Sequence, residues 1–141
     1  MEEGAMDLQG RAQLEVIDLH QFFEDWFLDR ENADFSRVER ALAADFEMIT
    51  PAGQIVERAA VLESLKGALG RWNNSPEKIE IRKISPLLLA GGWILVRYEE
   101  WHLPSLGEPE GRISTASFRS NSEAPLGLEW VRLHETWLPA E

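Results

Sequence analysis

The sequence predicts one α+β domain spanning residues 1–141, with helices packed on an antiparallel sheet. Three observations predict it. Helical spacing is confined to the first half of the chain, strand-like alternation occupies everything after Pro76, and 44% hydrophobic with 28% charged residues is an ordinary globular composition. Helices grouped before strands is the pattern of α+β folds, in contrast to the alternation of α/β folds.

The first helix is read over Leu14 to Leu28. Leu14, Ile17, Phe22, Phe23, Trp26 and Phe27 recur at three- and four-residue steps, with Glu15, Asp18, Glu24 and Asp25 between them. Residues 1–10 read as a flexible arm or an extension of this helix. A second helix is expected over Ser36 to Ala44, capped by Asp34 or Ser36, with Glu39 three residues after Ser36 and Val38 and Leu42 as its buried stripe. Phe46 to Thr50, the turn Pro51-Ala52-Gly53, and Gln54 to Val56 predict a hairpin, because proline opens the turn and glycine permits it. Arg58 to Gly70 returns to helical spacing through Ala59, Leu62, Leu65 and Leu69, and Gly70 stops it.

Four strands follow. The first carries Ile79, Ile81, a bulge around Ser85-Pro86 and Leu87 to Leu89, before a Gly91-Gly92 turn. Trp93 to His102 is the next, and a loop from Pro104 to Gly111 leads to Arg112–Arg119. The polar stretch Ser120 to Gly127 leads to the last, Leu128 to Leu138. The chain contains no internal repeat.

Charge and composition exclude several functions. Twenty-five acidic against 14 basic residues give a net charge of −11, which repels phosphate backbones and anionic membranes, so neither nucleic acid nor a membrane is expected as partner. The absence of cysteine removes disulfides, thiolate metal sites and cysteine nucleophiles. Met1-Glu2-Glu3-Gly4 has neither the basic start nor the apolar run of a signal peptide, so the cytoplasm is the expected location. His20, His102 and His134 fall into no metal-ligand spacing, and the glycines lie between strands instead of opening a phosphate-binding helix; no metal and no cofactor are expected.

The order of elements and the final run Trp130-Val131-Arg132-Leu133-His134-Glu135-Thr136-Trp137 resemble the nuclear transport factor 2-like (NTF2-like) superfamily, which includes ketosteroid isomerases, polyketide cyclases and scytalone dehydratases. The resemblance covers nearly the whole chain. It implies a cystatin-like cone: three N-terminal helices packed on a curved sheet, a pocket under the concave face, and dimerisation through the convex face. It also implies a departure. Thr50, before Pro51, stands where the isomerase's aspartate base would be, and Phe22, Phe23 and Trp26 occupy the stretch that holds its helix tyrosine. Steroid isomerisation by that route therefore lacks its base, and Thr50 is expected as a pocket-lining residue.

Side chains two apart on a strand share a face. On the last strand this puts Trp130, Arg132, His134 and Thr136 together, and this even face matches the pocket face of the resemblance. Hairpins closing at the evident loops bring Arg112 and Ser114 near His134 and Thr136 on one side, and near Tyr98 and Glu100 on the other. The expected catalytic set is His134 as general acid or base, Tyr98 as donor to a developing oxyanion, and Glu100 as the group orienting His134 or pairing with Arg112. Arg112, Arg132, Ser114, Thr136, Trp26 and Trp130 join Thr50 as expected ligand contacts, the arginines suited to a carboxylate.

Each assignment competes with a structural role, since cross-sheet ion pairs, core histidines and buried tyrosines commonly serve packing. The odd face, with Trp93, Leu95, Trp101, Val131, Leu133 and Trp137, is too apolar to leave in water and predicts a homodimer. Two functions follow: binding or acid–base lyase or isomerase chemistry on a small apolar or carboxylate-bearing molecule, or a non-catalytic dimeric binding or assembly module.

Overall fold

The computed structural model describes residues 7–139. The first helix, α1 (Leu8–Phe27), starts two turns before the periodic run because Asp7 caps it, its carboxylate accepting from the Gly10 amide at 2.7 Å. Of the N-terminal arm, residues 8–10 thus belong to this helix, and 1–6 lie outside the described residues. No helix among the described residues is long and apolar enough to cross a membrane.

The second helix, α2 (Ser36–Glu39), is a single turn, shorter than expected. From Leu42 the chain is taken up by the sheet as β1 (Leu42–Ile49), since the Ala41 carbonyl accepts from the Trp130 amide at 2.8 Å and Leu42 pairs with Trp130. Tertiary pairing overrides local helix spacing here. The hairpin partner β2 (Ile55–Glu57) leads directly into α3 (Arg58–Lys66), which tightens into successive turns before Gly70, a left-handed residue at φ 72°.

The long strands are β3 (Glu77–Leu88), β4 (Trp93–Pro104), β5 (Glu110–Ser120) and β6 (Leu128–Trp137). Gly91 and Gly92, at φ 71° and 81°, turn β3 into β4 where a side-chain-bearing residue would be strained. The sheet order is β2-β1-β6-β5-β4-β3. All neighbours are antiparallel except β1 and β6, which run parallel. The core lies between α1, through Ala12, Val16 and Leu19, and the concave face, through Ile94, Val96, Ala116, Phe118 and Trp130.

Two irregularities decide what faces inward. In β3 the register with β4 slips between Arg82 and Ser85, where Lys83 adopts φ 53°; the bulge lies slightly before the expected Ser85-Pro86. In β6, Phe118 pairs with Trp130 whereas Ser117 pairs with Arg132, so Val131 is an extra residue. A single inserted residue reverses the alternation beyond it. Trp130 points inward, and so do Leu133 and Glu135; Arg132, His134 and Thr136 point out.

Candidate functional site

Between α1, β1, α3 and the concave face lies a cavity of about 330 Å³. Its walls are mostly apolar, with Leu19, Phe23 and Phe27 from α1, Phe46 and Met48 from β1, Val61 and Leu65 from α3, and Trp130 and Leu133 from β6. Burial of these side chains comes from the three- and four-residue spacing on α1 and from alternation on the strands. Trp130 is held in place from behind, its indole donating to Glu15 at 2.9 Å, and Glu15 in turn accepts from Arg37 at 2.9 Å.

One wall is polar. His20 Nδ1 donates to the Val16 carbonyl at 2.7 Å, a contact one helical turn back, which leaves Nε2 3.0 Å from Glu100 Oε1. The other Glu100 oxygen accepts from His102 Nε2 at 2.7 Å and lies 3.6 Å from Arg112. Arg112 Nη1 donates to Glu135 Oε1 at 3.0 Å. Burial alone would raise the Glu100 carboxyl; His20, His102 and Arg112 outweigh it and hold it well below the usual carboxylate range. Burial also opposes charge on His20, but Glu100 overcomes it and lifts the imidazole above its ordinary pKa. Glu135 goes the other way from Glu100: burial raises it despite Arg112, and the charge on Glu100 adds to the rise. Burial, Glu100 and Glu135 push the Tyr98 phenol well above its ordinary value, so it remains an O–H donor at neutral pH.

Three atoms in this wall are buried without a hydrogen-bond partner: Tyr98 Oη, Arg112 Nε and Ser114 Oγ. Tyr98 and Arg112 line the cavity, and Ser114 is the cross-strand neighbour of Tyr98. The Ser114 hydroxyl still acts on the Tyr98 phenol, lowering its pKa against the larger rise, but no hydrogen bond of normal geometry joins them; buried polar groups are ordinarily paired, so these groups keep bonding capacity.

The expected residues divide sharply. Tyr98, Glu100, Arg112, Trp130 and Thr50 line the cavity, and the expected pairs Tyr98 with Ser114 and Glu100 with Arg112 are the actual cross-strand partners. His134, Arg132 and Thr136 do not reach it. The Val131 insertion turns all three to the outer face, where they are exposed; Arg132 donates to the Asp45 carbonyl at 2.7 Å. The partner of Ser114 on β6 is Glu135, one residue beyond His134. Trp26 is corrected as well: it packs on Phe22 and Phe35 and donates to the Leu65 carbonyl at 2.7 Å, fastening α3 to α1 outside the cavity.

Four ionisable lining residues, His20, His102, Glu135 and Arg71, are absent from the expected site. His20 had a readable signal, since it falls four residues after Val16 and one after Leu19 on the buried stripe of α1. Among the described residues no group of three or more histidine, aspartate or glutamate side chains is placed to hold a metal ion.

This fold and cavity define an NTF2-like protein. A family model described as sucrose-6-phosphate phosphohydrolase C-terminal matches residues 12–139, and the chain belongs to that family. Among solved structures it is similar to an NTF2-like protein of unknown function from Pseudomonas aeruginosa, 26% identical with TM-score 0.78 over 92% of this chain and 99% of that one. It also resembles a protein of the NTF2-like family from Streptomyces avermitilis, proposed to be a dehydratase: 18% identical, TM-score 0.71, over 94% and 96% of the two chains. A third is the CaMKII hub of S. rosetta, 11% identical with TM-score 0.72, over 95% and 99%. The last two likenesses show the fold alone. A comparison with curated proteins finds no match.

Proposed function

We propose that the chain binds a small amphipathic molecule in this cavity and acts on it by acid–base chemistry of the lyase or isomerase kind. The observation that carries the reading is the pair of unpartnered donors, Tyr98 Oη and Arg112 Nε, on the polar wall of an otherwise apolar cavity. Each such group costs about 1–3 kcal/mol while unpaired, which a ligand carbonyl or hydroxyl accepting from it offsets.

The chemistry follows from placement. A ligand carbonyl received by Tyr98 and Arg112 brings its α-carbon toward Glu135. The C–H bond breaks with its proton passing to the Glu135 carboxylate, and its electron pair moves into an enolate whose oxygen the two donors stabilise. A raised carboxyl is the stronger base, which favours Glu135 over Glu100 for this step. His20 holds Glu100, which lies 3.6 Å from Arg112, and neither touches the reacting carbon. The family description names a sugar phosphate, but Phe23, Phe27, Phe46 and Leu133 favour a hydrocarbon body over a polyol.

The test is titration of the protein with butyrophenone, followed by tryptophan fluorescence, with NMR of solvent deuterium entering its α-methylene. Binding in wild type that weakens in Tyr98→Phe, with exchange lost in Glu135→Gln, supports the reading. Absence of binding by any aryl ketone defeats it.

The second reading, a non-catalytic dimeric module, has a narrower basis than expected. Leu133 lines the cavity, Trp137 pairs with Arg112 on the cavity side, and Trp101 and Val131 are buried, Trp101 lying against Gly111. What supports a homodimer through the convex face is the smaller patch of Trp93, Leu95 and its partner Leu87, the last 57% exposed. Sedimentation showing only monomer at micromolar concentration removes it.

A further inference from the structure

We infer that the ligand of this cavity is a monoanionic amphiphile, with its anionic group against Arg71 at the opening and a hydrogen-bond acceptor inside against Tyr98 and Arg112. This rests on the small-molecule reading above and adds the class of ligand to it.

Arg112 is poorly suited to receive a ligand carboxylate, because Glu135 already accepts from its Nη1 and Glu100 lies 3.6 Å from its Nη2. Nη2 also lies 3.2 Å from His102 Nε2, so Nε is the one nitrogen with no polar partner, and a single donor suits a neutral oxygen. Arg71 differs. It lines the cavity, is exposed, and its side chain has neither an ion pair nor a hydrogen bond among the described residues. Its guanidinium carbon lies 4.0 Å from the centre of the Phe27 ring and 5.7 Å from that of Trp72. Those contacts hold the planar fork in place at the cavity edge while leaving its N–H groups unpaired, which is the geometry that bidentate carboxylate recognition needs. The acid felt at Arg71 is Glu77, and that carboxylate lies 3.6 Å from His102 Nδ1.

Charge points the same way. The chain carries −11, yet the cavity lining has Arg71 and Arg112 against Glu100 and Glu135, with His20, whose pKa Glu100 raises against the cost of burial, able to add positive charge. The cavity is therefore a non-negative place in an acidic protein, and the cation at its opening forms no salt bridge among the described residues. One unpaired guanidinium balances one negative charge. A phosphate dianion would bring excess charge beside Glu77 and Glu100, so a carboxylate-type monoanion is the better match.

The experiment compares 4-oxo-4-phenylbutanoate with butyrophenone, the same aryl ketone without the carboxylate, by calorimetry on the full chain. In wild type the carboxylate is expected to bind at least about tenfold more tightly, with added salt weakening only the charged probe. Arg71→Gln brings the two affinities within about twofold, and Arg71→Lys restores part of the difference. Circular dichroism confirms that the variants fold. Equal binding of both probes by wild type overturns the anion anchor and leaves the cavity reading standing, whereas binding of neither overturns both. Tighter binding of sucrose 6-phosphate than of the carboxylate overturns the monoanionic class.

Discussion

Two buried pairs of carboxylates, Glu24 with Asp25 and Glu100 with Glu135, are partnered in different ways. Glu24 and Asp25 end α1, and their oxygens are taken up by the protein: Glu24 accepts from the Ile79 amide at 2.9 Å and Arg30 at 3.0 Å, and Asp25 from Gln21 at 3.0 Å and Asn32 at 3.3 Å. This pair ties the helix to β3 and to the turn that follows. Glu100 and Glu135 are equally buried, but beside them Arg112 Nε and Tyr98 Oη, in two residues that line a cavity, have no hydrogen-bond partner. Buried acids do not distinguish a site from a brace; unspent donors beside a hollow do.

The largest expected effect breaks the second pair. Glu100→Gln leaves His20, His102 and Arg112 without their shared carboxylate and is expected to cost about 3–5 kcal/mol in urea unfolding. Glu24→Gln, by contrast, keeps an oxygen for the Ile79 amide and loses only part of its bond to the exposed Arg30, so about 1–2 kcal/mol is expected in the same measurement. A cost for Glu24 equal to that for Glu100 would erase the distinction.

The contrast sharpens with pH. His20 has a folded pKa above its ordinary 6.5, so its contribution is fully present below 6.5 and is lost as pH rises through the folded value. Glu100, held well below 4.5, contributes stability that is present above 4.5 and lost in acid as pH falls through its folded value. Urea midpoints across pH should therefore fall at both ends, and Glu100→Gln should flatten the alkaline fall. The smallest effect is expected outside the cavity: His134→Ala should change stability by less than about 0.5 kcal/mol and leave ketone binding unchanged. Loss of binding in that variant would return His134 to the site.

Sequence reading reached the β4–β5 half of the site and missed the β6 half for one reason. The Pro104–Gly111 loop sets where β4 meets β5, so the partners of Tyr98 and Glu100 could be counted from the loop. No comparable signal marks Val131. Its insertion accompanies a strand that pairs on both sides: β6 lies antiparallel to β5 and parallel to β1, with the Trp130 amide bonded to Ala41. A parallel partner 88 positions away along the chain, Leu42 against Trp130, leaves no trace in local alternation. The same parallel strand cut α2 short. Arg71 escaped notice because its meaning lies in what it lacks, a carboxylate within reach, and only coordinates show that.

What the sequence by itself determined is the α+β class, the order of elements, and the residue types that meet across the β4–β5 hairpin, because periodicity and turn chemistry act between near neighbours in the chain. Only the tertiary structure decided which side of β6 looks inward, that His20 and Glu135 replace His134 in the polar wall, and that Arg71 stands unpaired at the opening. These depend on register between strands and helices distant in sequence, where one extra residue reverses every side chain beyond it.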